Sequence, residues 1–81
     1  MNNAISFFLK PNQGRRLPDE ADPKTSDGIV IHKDSLWQDG QRLGRILNVY
    51  SRHDTSLAQH GETEISYIPV DRDPLELHDD N

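Results

Sequence analysis

Four histidines, His32, His53, His60 and His78, and the acids beside them are the residue types that could carry out chemistry. The densest group is His60 with Glu62 and Glu64, and His53–Asp54 lies in the same stretch. On a strand Glu62 and Glu64 share a face, and an imidazole with two carboxylates suits a hard or borderline cation. No dedicated ligand spacing such as H-E-x-x-H accompanies them, so no metal and no cofactor is expected, and solvated polar side chains explain the group as well. His32 and Asp34 would share one face of a strand, within reach of acid–base work if they were buried and oriented. In the hairpin register set out below, Asp34 falls opposite Arg45, and an ion pair accounts for it. A core this thin leaves little pocket, and no catalytic activity is expected. "GQRLG", residues 40–44, is no phosphate loop, because the G-K-[ST] ending is absent.

Recognition offers more than reaction. Arg42, Arg45 and Arg52 lie along one segment with Tyr50 among them and Tyr67 and Trp37 elsewhere. A small β-domain could stack single-stranded nucleic acid on such aromatics and hold its backbone with such cations. Plain strand alternation, however, sends Arg42 and Arg52 to one face and Arg45 to the other, so no continuous basic stripe forms. The chain also carries fourteen acids against nine Lys and Arg, a net charge of −5, which disfavours counterion-release binding. A nucleic-acid-binding β-domain is therefore the alternative function. A helix-turn-helix is weaker still, since its second helix would have to end at Gly61.

The leading expectation is a non-catalytic protein–protein interaction module. Leu75 and Leu77 stand two apart among Asp71, Asp73, Glu76, Asp79 and Asp80, apolar anchors in an acidic segment that would suit a basic-rimmed groove. Trp37 and Tyr50 would add apolar contact from the sheet, and an exposed sheet edge could accept a partner's strand. The expected partner is a protein with a basic surface; a homodimer is an easy way to bury more of so small a core. By size and charge alone, the chain invites analogy with small adaptors and inhibitors encoded by phages and mobile elements.

The elements that must position these groups read as mainly β. "AISFFLK", residues 4–10, is a first strand stopped by Pro11. Residues 11–28 hold three prolines, two glycines and one large apolar residue, Leu17, and read as a long polar, disordered loop. Residues 29–50 then suggest one long hairpin with its turn at Asp39-Gly40. That register opposes Gln38 with Gln41, Trp37 with Arg42, Leu36 with Leu43, Asp34 with Arg45, and Val30 with Val49; Ile29 faces Tyr50. Trp37 opposite Arg42 allows a cation–π contact. The rival reading is a helix over 41–53, because Leu43, Ile46, Leu47 and Tyr50 follow helical spacing. Against it, Gly40 and Gly44 would each cost a helix about 1 kcal/mol relative to alanine.

After a polar loop at 52–61, residues 62–70 form a strand able to pair with 43–51, with Pro69 marking its end or a sheet edge. The whole is expected to be a single domain over 1–70, an antiparallel sheet of about four strands, open-barrel or sandwich-like, followed by a mobile acidic tail at 71–81. Both faces of the hairpin carry apolar groups, which calls for cover on both sides. The absence of cysteine excludes disulfides and fits a cytoplasmic home. "MNNAISFFLKPNQ" lacks the basic n-region of a signal peptide, and no segment approaches the ~20 apolar residues of a membrane span.

Overall fold

The computed structural model describes residues 3–10, 13–51 and 63–76. Among them the chain is mainly β, as expected, but with six strands instead of four: β1 (Ile5–Leu9), β2 (Arg15–Leu17), β3 (Ile29–His32), β4 (Ser35–Gln38), β5 (Gln41–Ser51) and β6 (Thr63–Pro69). They make one open sheet in the order β1-β6-β5-β4-β3-β2. Four of the five strand pairings are antiparallel; β2 lies parallel to β3, so the sheet is mixed.

Two short elements explain why residues 13–28 are structured where a disordered loop was expected. Arg15–Leu17 adds β2 to the sheet. Pro23–Thr25 forms a 3-10 turn: Pro23 supplies the fixed φ at its start, and the Asp22 carboxylate caps it by accepting from the Lys24 amide at 3.0 Å. Pro23 is buried.

The long hairpin is replaced by a meander. The chain already reverses at Lys33–Asp34, where Lys33 takes a φ of 56°, so β3 folds back on β4 with Ile31 opposite Leu36 and Val30 opposite Trp37. The turn at Asp39-Gly40 forms as expected, with φ of 52° and 82°, the two positive values that a type I′ turn requires. Asp39 fits there for a second reason. Its carboxylate accepts from the Gly28 amide at 2.8 Å while its own amide donates to the Gly28 carbonyl at 2.9 Å.

The register holds for Gln38/Gln41 and Trp37/Arg42 and then slips. Leu36 pairs with Gly44 rather than Leu43, because a β-bulge inserts Leu43 as an extra residue. The expected pairs Asp34/Arg45, Val30/Val49 and Ile29/Tyr50 do not form, since β3 is no longer collinear with β4. Beyond the bulge β5 leaves β4 and pairs with β6, and a second bulge at Leu47 separates Ile46/Tyr67 from Asn48/Ser66. The helix alternative fails over 41–51, which is all strand.

Cross-strand partners point to the same side, so the register assigns two faces. The inner face carries Leu9, Ile29, Ile31, Leu36, Ile65 and Tyr67, which form one buried cluster with Phe7, Ile46 and Val49 packed against it. Leu36 and Ile65 are fully buried, each stabilising the fold by roughly 1.5–3 kcal/mol. Phe7 meets Tyr67 edge-on at 6.4 Å between ring centroids.

This cluster joins Leu9 of one edge strand to Ile29 and Ile31 near the other, so the sheet is rolled upon itself. The connection between the edges demands it. Leu9 and Arg15 are separated by six Cα steps, about 20 Å at full stretch, whereas a flat sheet would place β1 and β2 about 24 Å apart. A Cβ built on Gly14 would stand 2.8 Å from Leu9 Cδ1, so the two edges do approach.

The outer face is covered in patches. His32 donates from Nε2 to the Asp19 carbonyl at 2.9 Å, tying the segment that leads to the 3-10 turn onto this side, and Val30 beneath is fully buried. Residues 71–76 do not trail from the domain as a tail. After a second 3-10 turn at Val70–Arg72 they lie on the outer face, and Asp73 is fully buried there.

Candidate protein-binding face

The bulge at Leu43 decides the outer face. In an unbroken strand Arg42 and Arg45 would point to opposite sides; with one residue inserted, Arg42 opposite Trp37 and Arg45 opposite Ser35 point to the same one. Arg45 holds Asp73 through a two-pronged bond, Nε to Oδ2 at 2.7 Å and Nη2 to Oδ1 at 3.0 Å. Arg42 donates from Nε to Ser35 Oγ at 2.8 Å and pairs through Nη1 with Glu76 at 2.8 Å. Sequence reasoning set Asp34 against Arg45; the true partner is Asp73, twenty-eight residues away.

The side-chain hydrogen bonds from Arg45 hold the Asp73 carboxyl below its ordinary pKa, overcoming the opposite pull of burial, with help from the Leu75 amide. The same hydrogen bonds raise Arg45 above the usual arginine value. Asp73 Oδ1 accepts the Leu75 amide at 3.0 Å, and the Glu76 amide closes a turn onto the Asp73 carbonyl at 2.9 Å. Residues 73–76 are thus anchored by their acids. Leu75, at the top of that turn, is left 68% exposed.

The expected recognition residues therefore separate. Leu75 is displayed; Asp73 is buried and Glu76 is ion-paired, so both serve as anchors. Tyr50 is 53% exposed on the outer face, where its hydroxyl accepts from Asn48 Nδ2 at 3.0 Å. Trp37 is only partly exposed; its Nε1 is buried with no acceptor, and the guanidinium of Arg42 is directed to Ser35 and Glu76. Leu77 and Arg52 lie outside the described residues, as do His53, His60, Glu62 and His78. His32 and Asp34 do not come together on a strand face, because Asp34 sits in the β3–β4 turn.

Phe8 was not singled out from the sequence, yet it is 67% exposed on the same face. It pairs with Glu64, and Glu64 pairs with Tyr50, so the three form one row across β1, β6 and β5. Only the register with β6 reveals that Phe8, from the first strand, and Tyr50, from the fifth, are near neighbours.

A cavity of about 410 Å³ opens between Gln13–Arg15, Asp27–Ile29 and Gln38. Its charged groups are Arg15 and Asp27. Amides, glycines and one ion of each sign can hydrogen-bond a ligand but supply no nucleophile. Among the described residues no helix is long and apolar enough to cross a membrane.

Comparison with protein-family models, with curated proteins and with solved structures finds no match to this chain.

Proposed function

We propose that the protein is a non-catalytic protein-binding module, an adaptor or inhibitor of a larger protein, whose contact surface is the outer face bearing Phe8, Tyr50 and the 73–76 turn. The observation that carries this reading is the exposure of three large apolar side chains, Phe8, Tyr50 and Leu75, on one side of a chain this small. Isolated exposed apolar residues are ordinary, but several gathered on one face and rimmed by polar groups are what protein interfaces use. The turn that displays Leu75 is fixed by a buried carboxylate, so less ordering has to accompany binding there. A protein partner with a basic surface suits the net charge of −5. A cytoplasmic setting belongs to the same proposal and rests on the absence of cysteine.

The nucleic-acid alternative has less support. It needs Arg42 and Arg45 available to phosphate, and both are engaged by Glu76 and Asp73.

Site-specific photo-cross-linking tests the reading. A photoreactive aromatic residue is placed at position 50, at position 75 and, as a control, at Arg16, an exposed residue that shares the inner side with Ile31. In nuclease-treated lysate of the native host, positions 50 and 75 are expected to capture one discrete protein and position 16 none. Equal labelling at all three positions, or none at 50 and 75, would contradict the reading.

A further inference from the structure

The row Phe8–Glu64–Tyr50 has a composition that an apolar docking patch does not need. A carboxylate stands between two aromatic side chains, each one strand away, at the interstrand spacing of about 4.8 Å. Glu64 is half-buried, and its Oε2 accepts from Ser6 Oγ at 2.8 Å. Among the described residues no Lys or Arg pairs with it. The neighbouring acids on this face are satisfied from within, Asp73 by Arg45 and Glu76 by Arg42. Ring faces attract cations within about 6 Å of their centroids, and a carboxylate between two rings adds a full negative charge at the same place. The hydrogen bond from Ser6 fixes one carboxylate oxygen and leaves Oε1 for another donor. Asn48 in turn ties the Tyr50 hydroxyl at 3.0 Å and restrains that ring.

We infer that Phe8, Glu64 and Tyr50 form a receptor for one cationic side chain, arginine or lysine, presented by the protein partner. This rests on the protein-binding reading and gives it a chemistry. The guanidinium or ammonium lies over Glu64, bonded to Oε1 and flanked by the two rings. The remainder of the partner meets Leu75. The overall negative charge steers such a partner to the face, and this row orients it.

The test uses the full chain, isotope-labelled, and two small capped peptides, Gly-Arg-Gly and its citrulline counterpart, which keeps the shape and drops the charge. The arginine peptide is expected to shift the Phe8 and Tyr50 ring signals and the Glu64 carboxyl signal saturably; the citrulline peptide leaves them in place. Glu64→Gln is expected to weaken the arginine peptide about three- to fivefold, in line with an exposed ion pair, while its amide oxygen still accepts from Ser6. Shifts spread over all surface acids, equal shifts with citrulline, or no effect of Glu64→Gln would overturn the inference. The outcomes separate the two claims. Cross-linking at 50 and 75 with no response to the arginine peptide removes the cation receptor and leaves the binding face. A response to the peptide without cross-linking removes the binding face.

Discussion

At the scale of single residues, Asp73 is the group on which the outer face depends. It is fully buried, accepts three hydrogen bonds and fastens the 73–76 turn to β5. Its carboxyl is held below the ordinary value in the folded chain, so folding favours its ionised form. That contribution is complete above the ordinary aspartate pKa and is lost as pH falls through the lowered native value, a decline that begins below about pH 4. Arg45 is shifted upward, so its contribution persists at every pH below the ordinary arginine range. Denaturation midpoints measured from pH 7 to pH 2 should therefore fall on the acid side, and Asp73→Asn should start lower and show a flatter acid limb. Parallel curves for the two proteins would contradict the assignment.

Trp37 behaves in the opposite way. Its Nε1 is buried without an acceptor, a loss of about 1–3 kcal/mol that phenylalanine would avoid. Trp37→Phe gives up some apolar contact in return, so the net change should stay within about 1 kcal/mol in denaturant titration. A larger loss would mean that the indole has an acceptor.

At the scale of elements, the β-bulge of β5 explains most of what the sequence concealed. Leu43, Ile46, Leu47 and Tyr50 follow helical spacing because two of them, Leu43 and Leu47, occupy bulges. Each inserted residue stretches the period of two toward three or four. The Asp39-Gly40 turn, the first strand and the strand ending at Pro69 were legible because turn chemistry and proline are local signals. The reversal at Lys33–Asp34 was not, since its positive φ falls on Lys33, a residue type that seldom adopts one. The short parallel strand Arg15–Leu17 carries no apolar alternation at all and is specified by its neighbour β3.

Of the candidate face, Leu75 and Tyr50 could be read directly, whereas Phe8 required the register, and Asp73 required a pairing across twenty-eight residues. Gly44 is the residue that permits the bulged geometry. A Cβ there would fall 2.1 Å from the Ile68 carbonyl oxygen and 2.8 Å from its carbon, both backbone atoms that cannot step aside cheaply. Gly44→Ala should cost about 3 kcal/mol or more in chemical denaturation. A cost near zero would show that β5 and β6 do not approach so closely.

At the scale of the whole molecule, a thin sheet rolls one apolar face inward, and the described residues outside the sheet cover its second face only in part. The inner face accounts for stability; Leu36, Ile65 and their neighbours lie there. Among the described residues the outer face divides its acids between those paired with an arginine, Asp73 and Glu76, and the half-buried Glu64, which has no such pair and lies beside apolar groups. This division implies that stability and binding can be separated by mutation. Phe8, Tyr50 and Leu75 are mostly exposed, so replacing all three with serine should change the unfolding free energy little, about 1 kcal/mol or less in total. The most direct measurement compares this triple variant with the unaltered protein, in thermal unfolding and in recovery of the cross-linked partner from nuclease-treated host lysate. A variant that melts with the parent but no longer recovers the partner is the expected result. One that melts with the parent and still recovers the partner undiminished would contradict the assignment of the outer face to binding.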